Sequence, residues 1–274
     1  MCPKLFQIGP IPVYSYGLML AIAFIAASYL LTKEFKRLKL NPDIASNITL
    51  IALIGGVAGS KILYLLEHWS SFIADPSSAF SPGGLTFYGG LVLAAISIFF
   101  YVRGKKISFL LAADLTSPGL ILAYGIGRLG CHFAGDGDYG FPTTLPWGTN
   151  YANGTYPPSQ AFRDFPEITS QFPNGIVPDT TPCHPTGVYE LLVCSFLAFV
   201  LWNIRLKTKP AGKLFMIYLM AAGVERLTIE FARLNPRLFF GLSEAQLISL
   251  ALITGGAIGF AMLFRSAKLP ETKP

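Results

Sequence analysis

Long apolar runs separated by short polar segments are the main feature of the hydrophobic pattern along this chain. A helix that crosses a bilayer needs about 20 consecutive, mostly apolar residues. Runs of that length recur from one end of the sequence to the other and contain few charged residues. The pattern predicts seven transmembrane helices, at residues 11–31, 44–66, 83–102, 107–127, 187–204, 214–231 and 245–264.

The composition excludes the classes of protein that fold in water. Apolar residues make up 52% of the chain, charged residues 13%, and the mean hydropathy is +0.51. A soluble domain carries about a quarter charged residues, which help to cover its surface. A soluble globular protein, a disordered chain and a disulfide-dense secreted module are therefore excluded. What remains is an all-α, polytopic membrane protein.

The basic residues predict how the helices are oriented. Of the 21 Lys and Arg residues, 14 follow the first, third, fifth and seventh predicted helices, and all of these segments lie on one side of the membrane. Because cytoplasmic loops carry such an excess, we expect the N-terminus outside and the C-terminus in the cytoplasm. The net charge of +6 is then a topology signal, and no nucleic-acid partner is predicted. The 14 residues are Lys33, Lys36, Arg37, Lys39, Arg103, Lys105, Lys106, Arg205, Lys207, Lys209, Lys213, Arg265, Lys268 and Lys273.

The connection between the fourth and fifth predicted helices is unusually long. Residues 134–183 contain six Gly and eight Pro, so a long helix is excluded there. A loop of this length is usually functional or disordered, and its many aromatic residues favour order. We predict a single transmembrane domain over residues 1–274, into which residues 134–183 insert as an extracytoplasmic head on the membrane surface.

Most of the costly polar groups fall near the outer ends of the predicted helices. Ionisable residues at membrane depth are expensive to bury and by default mark a functional site. With the predicted orientation they converge on the outer leaflet, so the candidate site faces that side. The residues concerned are Tyr16, Tyr88, Arg128, His184, Tyr189, Glu190, Arg226, Glu230 and Arg233.

Three of these residues share one face of the sixth helix. Arg226 and Glu230 are four residues apart, and Glu230 and Arg233 three, so the three side chains are neighbours. One carboxylate between two guanidiniums predicts a net positive site for an anion. Arg128 adds a further guanidinium, and arginines bind phosphate in a two-pronged geometry. The alternative is that these are structural ion pairs, or arginines that reach lipid headgroups.

The glycines beside Tyr88 allow two interpretations. Gly89 and Gly90 follow Tyr88 at the start of the third helix. Small residues in membrane helices most often allow close packing of a neighbouring helix. The same pair also leaves space beside the Tyr88 hydroxyl, where a substrate would fit.

Cys131 and Cys183 lie at the two ends of the long loop. In an oxidising compartment a disulfide between them would close the base of that loop, and free thiols are the alternative. Each cysteine is followed by a histidine, His132 or His184, but the arrangement matches no standard zinc-ligand spacing. We therefore predict no metal site at these residues.

Six separated motifs, in order along nearly the whole chain, resemble prolipoprotein diacylglyceryl transferases. The resemblance implies a bacterial plasma-membrane enzyme with seven helices. It moves diacylglyceryl from phosphatidylglycerol to the lipobox cysteine of a lipoprotein precursor, forms a thioether, releases glycerol phosphate and uses no metal or soluble cofactor. The motifs are Tyr16-Gly17-Leu18-Met19, Gly84-Leu85-Thr86-Phe87-Tyr88-Gly89-Gly90, Gly127-Arg128-Leu129-Gly130, Gly135-Asp136, His184-Pro185-Thr186 with Tyr189-Glu190, and Arg226 with Glu230-Phe231-Ala232-Arg233.

The motif matches and the chemistry of the side chains together predict roles for individual residues. Arg128 and Arg233 match the family's essential arginines, and Asp136 matches an acidic position that is usually Glu. His184 is the first candidate for the group that takes the thiol proton, followed by Asp136 and Glu190, with Tyr88 as a donor or positioning group. Substrate binding is expected to involve Tyr16, Gly89, Gly90, Tyr189, Glu190, Arg226 and Glu230.

Several departures from the family pattern cluster around the expected site. The family often has His at the position of Tyr88, Asn at those of Cys131 and Ala134, and Gln or a similar residue at that of Gly187. The segment 135–140 is one residue longer than usual. A divergent branch with a different lipid donor or acceptor is therefore an alternative.

Two other classes of protein remain as alternatives. A small-solute transporter also carries intramembrane charges, but it places them near the midplane on repeated, broken helices. Here the charges lie near the outer leaflet and no repeat is visible in the sequence. A receptor or scaffold with an outer head has no need for arginines flanked by glycines.

Overall fold

The computed structural model describes residues 1–81, 84–233, 235 and 237–266, and helices dominate it. Gly83, where the third predicted helix begins, and the basic residues Lys268 and Lys273 lie outside the described residues. The helices are α1 Ser15–Arg37, α2 Pro42–Glu67, α3 Trp69–Ala74, α4 Phe87–Gly104, α5 Phe109–Ala134, α6 Pro158–Ala161, α7 Pro166–Thr169, α8 Thr186–Ile204, α9 Lys213–Ile229 and α10 Glu244–Ser266. Three antiparallel pairs of short strands join β1 Lys4–Ile8 to β2 Ile11–Tyr14, β3 Thr149–Asn150 to β4 Pro182–Cys183, and β5 Arg237–Phe239 to β6 Leu242–Ser243.

The prediction of an all-α polytopic membrane protein is confirmed. Among the described residues, six helices are long and apolar enough to cross a bilayer: α1, α2, α4, α5, α8 and α10. The sixth predicted span, 214–231, corresponds to α9, which has 17 residues and carries Lys213, Glu225 and Arg226. The exact number of seven spans therefore stays a prediction.

The first predicted helix begins too early. Residues 11–14 form strand β2, which pairs with β1 across a turn at Gly9 and Pro10, and α1 begins only at Ser15. Pro12 in this segment donates no backbone hydrogen bond, which suits a two-stranded ribbon better than a helix interior. The hydrophobic pattern does not separate β2 from α1, because both segments are apolar and follow each other directly.

The structure divides into two compact units, Ser28–Leu115 and the described residues of Met1–Ala27 with Thr116–Pro274. In the first of these, α2 and α4 pack closely through glycines. A Cβ at Gly59 would lie 2.7 Å from Leu93 Cβ and 2.8 Å from the Gly89 carbonyl carbon. Gly90 in turn lies against the Gly56 carbonyl. This packing accounts for Gly89 and Gly90, and a substrate-binding role for them stays a prediction.

We expect Gly59→Ala to destabilise the protein by about 1–3 kcal/mol, because overpacked interfaces must separate. Gly56→Ala is the matched control: it lies three residues earlier on α2, and a Cβ there meets no atom within 4 Å. Thermal denaturation of the purified protein in detergent measures both. Equal melting temperatures for the two variants would contradict the close contact between α2 and α4.

In the other unit the C-terminal part of α5 packs against α8 and α9, and α9 packs closely against α10. Part of its core is a cluster of apolar side chains from α5, α8 and α9. Glycines again permit close approach: a Cβ at Gly125 would lie 2.7 Å from Cys194 Cβ, and one at Gly223 would lie 2.8 Å from the Ser249 carbonyl oxygen. The buried members of the cluster are Ile121, Cys194, Ala198, Leu201 and Leu214.

Residues 134–183 fold around an aromatic core of their own. The rings of Tyr139 and Tyr151 stack with centroids 4.0 Å apart, and Phe162 packs against Tyr139 at 6.0 Å. Burial of these groups raises the pKa values of both tyrosines above their ordinary range. The expected order of this segment is therefore confirmed, and its position outside the membrane stays a prediction.

The disulfide considered between Cys131 and Cys183 is absent, because both are free thiols in the structure. Cys183 is fully buried in the aromatic core, where its Sγ lies 3.5 Å from the Thr181 carbonyl oxygen. Burial raises the pKa of the Cys183 thiol to about 12. Cys131 instead hydrogen-bonds the Asp136 carboxylate at the end of α5. Each thiol thus has a separate environment.

Candidate active site

Helix α5 supplies the first arginine of the site. Arg128 lies one turn after Tyr124, so the two side chains share a face of the helix. The Arg128 Nε donates to the Tyr124 hydroxyl at 3.1 Å, and the guanidinium lies 5.1 Å from the centre of the tyrosine ring. About a fifth of the Arg128 side chain remains exposed. This arginine is therefore held in place and still accessible.

A glycine-rich turn brings a carboxylate back to Arg128. Helix α5 ends at Ala134 because Gly135 takes a left-handed φ of 59°, and Gly137 follows with a φ of 91°. The reversed chain places Asp138 beside the helix that it has just left. Arg128 Nη1 donates to Asp138 Oδ2 at 2.5 Å, while Arg233 Nη2 donates to Asp138 Oδ1. Asp138 thus bridges two arginines from distant parts of the chain.

The two aspartates of this turn have opposite electrostatic environments. Burial alone would raise the pKa of Asp138, but the guanidiniums of Arg233 and Arg128 hold it below its usual range. Partial desolvation and the neighbouring Asp138 carboxylate raise the pKa of Asp136 above its usual range. Asp136 is therefore the more basic of the two carboxylates.

The shift at Asp138 predicts how stability depends on pH. Because its folded pKa lies below the ordinary 3.8, ionised Asp138 stabilises the fold above that value, and the contribution is lost as pH falls below it. We expect the melting temperature of Asp138→Asn to lie below that of the wild type by a constant amount above about pH 5, and the gap to close below about pH 4.

Melting curves of both proteins across this pH range test the prediction. Asp164→Asn is the matched control, since the Asp164 side chain is 86% exposed and should leave the melting temperature nearly unchanged. A gap between Asp138→Asn and the wild type that widens in acid would contradict the role given to Asp138.

Glu190 lies at the centre of the arginines. It is only 1% exposed, and its Oε1 accepts from the Tyr124 hydroxyl at 3.1 Å. Three guanidiniums surround it. The distances are 3.3 Å from Oε1 to Arg128 Nε, 3.5 Å from Oε1 to Arg226 Nη1, and 3.5 Å from Oε2 to Arg233 Nη1.

Glu230 completes the cluster. Its Oε1 accepts from Ser243 Oγ at 2.5 Å and from Asn235 Nδ2 at 2.7 Å, and its Oε2 lies 3.0 Å from Arg226 Nη2. The expected proximity of Arg226 and Glu230 is confirmed. The Arg233 side chain lies close to Asp138 and Glu190 instead.

The expectation of a net positive site is wrong for this arrangement. Three arginines face three carboxylates, because Asp138 and Glu190 add charges that the spacing on one helix did not include. The exposed side of the cluster consists of Arg128, Arg226 and Asp138, with side chains 20%, 19% and 39% exposed. An anion therefore meets two guanidiniums and one displaceable carboxylate.

His184 and Tyr189 form a second group beside this cluster. Trp147 Nε1 donates to the Tyr189 hydroxyl at 2.8 Å, and that hydroxyl lies 3.2 Å from His184 Nδ1. The backbone ties this group to the arginines, since the Thr186 hydroxyl donates to the Asp138 carbonyl at 2.8 Å. His184 Nδ1 therefore already has a hydrogen-bond partner, the Tyr189 hydroxyl.

The remaining predicted site residues are placed separately. Tyr16 is the second residue of α1 and lies against Gly130 of α5. Tyr88, with Gly89 and Gly90, belongs to the unit formed by Ser28–Leu115, where its ring meets Phe87 edge-on at 5.7 Å.

Ligand-type atoms of Cys131, Asp136 and Asp138 lie within 4.8 Å of one another. The guanidiniums on Asp138 oppose a cation at this position, so these residues do not fit a metal.

Five residues of the site were missed from the sequence: Tyr124, Asp138, Trp147, Asn235 and Ser243. Tyr124 precedes Arg128 by one helical turn, which was a usable signal. Asp138 lies two residues from Asp136 in the same turn, and only the backbone geometry distinguishes them. Trp147 and Asn235 lie outside helices and strands, and Ser243 lies in the short strand β6; the sequence holds no signal that any of them reaches the site.

Comparison with known proteins identifies the family of this arrangement. The sequence model of the prolipoprotein diacylglyceryl transferase family matches residues 3–262. Phosphatidylglycerol–prolipoprotein diacylglyceryl transferases of Clostridium tetani and of Trichormus variabilis are 34% and 32% identical to the chain. The matches cover 95% of this chain and 97% of the first relative, and 98% of this chain and 92% of the second. The chain therefore belongs to the prolipoprotein diacylglyceryl transferase family.

Proposed function

We propose that this protein transfers the diacylglyceryl group of phosphatidylglycerol to the lipobox cysteine thiol of a lipoprotein precursor. The thiol sulfur attacks the phosphate-bearing carbon of the diacylated glycerol. A C–S bond forms, and the bond between that carbon and the phosphate oxygen breaks. Glycerol phosphate leaves with the bonding electrons, and the thiol proton passes to a base. The observation that carries this proposal is the cluster of Arg128, Arg226 and Arg233 in a member of this family.

The arginines have the chemistry that the leaving group requires. Negative charge develops on the departing phosphate, and guanidiniums fixed in advance stabilise it without reorganising. Arg128 and Arg226 form the exposed side of the cluster and are proposed to contact the phosphate. Arg233 is only 4% exposed, so it is proposed to be a positioning residue that orients Asp138 and Glu190 without contacting the phosphate.

Asp136 is the proposed base for the thiol proton. A carboxylate with a raised pKa accepts a proton more readily than one clamped by cations, and pairs of groups with opposite shifts often divide such roles. Asp138 therefore serves as an electrostatic partner of the arginines. His184 is the second candidate, but its Nδ1 already faces the Tyr189 hydroxyl.

The membrane setting forms part of the proposal. Seven helices span the bacterial plasma membrane, α9 being the one beyond the six long apolar helices. The excess of Lys and Arg in the loops on one side supports an N-terminus outside and a C-terminus in the cytoplasm. Residues 134–183 then form an extracytoplasmic head within one transmembrane domain, and the arginine cluster faces the outer leaflet, where phosphatidylglycerol and the precursor peptide meet.

A transfer assay with defined substrates tests the function. Purified protein is incubated with phosphatidylglycerol vesicles and a peptide that contains a lipobox cysteine, with the same peptide bearing Ser for Cys as the control. We expect glycerol phosphate release together with a matching mass gain on the cysteine peptide alone. Lipid consumption that leaves the cysteine peptide unmodified would point to another acceptor and overturn the proposal.

A further inference from the structure

An apolar groove with a volume of about 440 Å³ lies between α8 and α9. Thr228 also lines the groove, but its hydroxyl donates a hydrogen bond to the Val224 carbonyl of the same helix at 2.8 Å, so this proton is not offered to a ligand. The groove has the chemistry of a hydrocarbon site rather than that of an aqueous pocket. Its apolar lining includes Val193, Leu197, Ile217, Met220 and Ala221.

One ionisable side chain, Glu225, lines this groove. It is 6% exposed, and its Oε1 has no hydrogen-bond partner among the residues that the structure describes. Burial and the nearby Glu190 carboxylate favour the neutral form of Glu225, against the opposing effect of the three arginines of the cluster, and the neutral form has an O–H donor. A buried O–H donor requires an acceptor, and none of the described residues supplies one to Glu225 Oε1.

The position of Glu225 along α9 indicates which chemical group could accept this hydrogen bond. Glu225 lies four residues before Ile229, the last residue of α9, which corresponds to about 6 Å along the helix. With the proposed orientation this is the outer end of α9, where the acyl chains of a lipid join their ester groups. An ester carbonyl accepts hydrogen bonds but donates none, so it complements a neutral carboxyl group.

The position of Arg226 links the groove to the reaction site. Arg226 follows Glu225 directly and contacts Glu190 and Glu230 in the arginine cluster. One diacyl lipid can therefore present an ester to Glu225 and its phosphate to Arg226, because the two groups are close together in the lipid.

We propose that the groove between α8 and α9 binds one acyl chain of the donor lipid, and that protonated Glu225 donates a hydrogen bond to the ester carbonyl of that chain. This inference rests on the proposed function, since the lipid concerned is the donor substrate. Glu225 would then be a substrate-binding residue that orients the diacylglyceryl group while the arginines hold the phosphate.

Photolabelling tests the occupant directly. Full-length protein is reconstituted with phosphatidylglycerol that carries a diazirine in one acyl chain, irradiated, and mapped by peptide mass spectrometry. We expect labels on α8 and α9 at the groove. Unlabelled diester phosphatidylglycerol should compete about three- to tenfold better than its diether analogue, the factor that one neutral hydrogen bond supplies.

Variants separate the carboxyl group from the groove. Glu225→Leu should remove the preference for the diester, whereas Glu225→Gln should keep it because the amide NH₂ also donates. Ala221→Phe should fill the groove and reduce labelling at least about threefold. Ala261→Phe is its matched control, because Ala261 is exposed on α10 and does not line the groove.

Two results would overturn this inference: groove peptides that stay unlabelled, or a wild-type protein that binds diester and diether lipids equally. Labelling requires no turnover, so the outcome is distinct from that of the transfer assay. Ester-dependent labelling without transfer would count against the proposed function, whereas normal transfer with an unlabelled groove would count against Glu225 and the groove alone.

Discussion

Arg128→Ala is expected to release glycerol phosphate at least about a hundredfold more slowly than the wild type, while the protein stays folded. Arg128 belongs to the exposed side of the cluster and contacts Tyr124, Asp138 and Glu190. Its removal takes away a guanidinium that the leaving phosphate would meet. The fold should tolerate the change, since Asp138 keeps Arg233 and the buried Glu190 keeps both Arg226 and Arg233.

The measurement is glycerol phosphate release per folded protein, with the melting temperature recorded in parallel. Arg128→Lys should fall between the alanine variant and the wild type, because a lysine keeps the charge but not the two-pronged geometry. Arg163→Ala is the matched control, since the Arg163 side chain is 82% exposed in the 134–183 segment and should not affect transfer. Full release by Arg128→Ala would remove the basis for the proposed phosphate site.

The sequence was sufficient to locate most of the charged groups of the site. Arg128, Glu190, Arg226 and Glu230 stand out because each interrupts or borders an apolar run, where a charge is costly. Their side chains meet in the structure. Such residues are predictable because a membrane leaves few places for a charged side chain, so a charge within an apolar run indicates a functional or structural site.

The net charge of the site could not be predicted from the sequence in the same way. The expectation of a positive site counted only the residues on one helix face, whereas Asp138 arrives from a turn. Gly135 and Gly137 take left-handed conformations that bring this carboxylate back to Arg128. Whether Asp136 or Asp138 reaches the arginines depends on those two backbone angles, and residue spacing does not encode them.

Two further differences have equally specific causes. Ile11–Tyr14 is apolar like the helix that follows, so the hydrophobic pattern merged a strand with a span. The two cysteines, Cys131 and Cys183, border the same loop in sequence. Disulfide formation depends on the distance and direction of the two side chains, and each thiol has its own environment in the structure.

Glu190→Gln is expected to destabilise the fold by about 3–5 kcal/mol, the cost of breaking a buried ion pair by removing one partner. The Glu190 carboxylate is 1% exposed and lies within 3.5 Å of Arg128, Arg226 and Arg233. An amide of the same shape leaves three guanidiniums with two carboxylates and directs N–H groups at cations. The arginines should then separate, and transfer should fall with the melting temperature.

Glu244→Gln provides the matched comparison for this loss. Glu244 is exposed in the first turn of α10, where a carboxylate interacts favourably with the helix dipole, so its neutralisation should cost about 0.3–1 kcal/mol. Denaturation of both variants in detergent, together with the transfer assay, distinguishes a buried electrostatic centre from a surface charge. If Glu190→Gln melted and turned over like Glu244→Gln, the arginines would be held by their other contacts, and Glu190 would not be the residue that organises them.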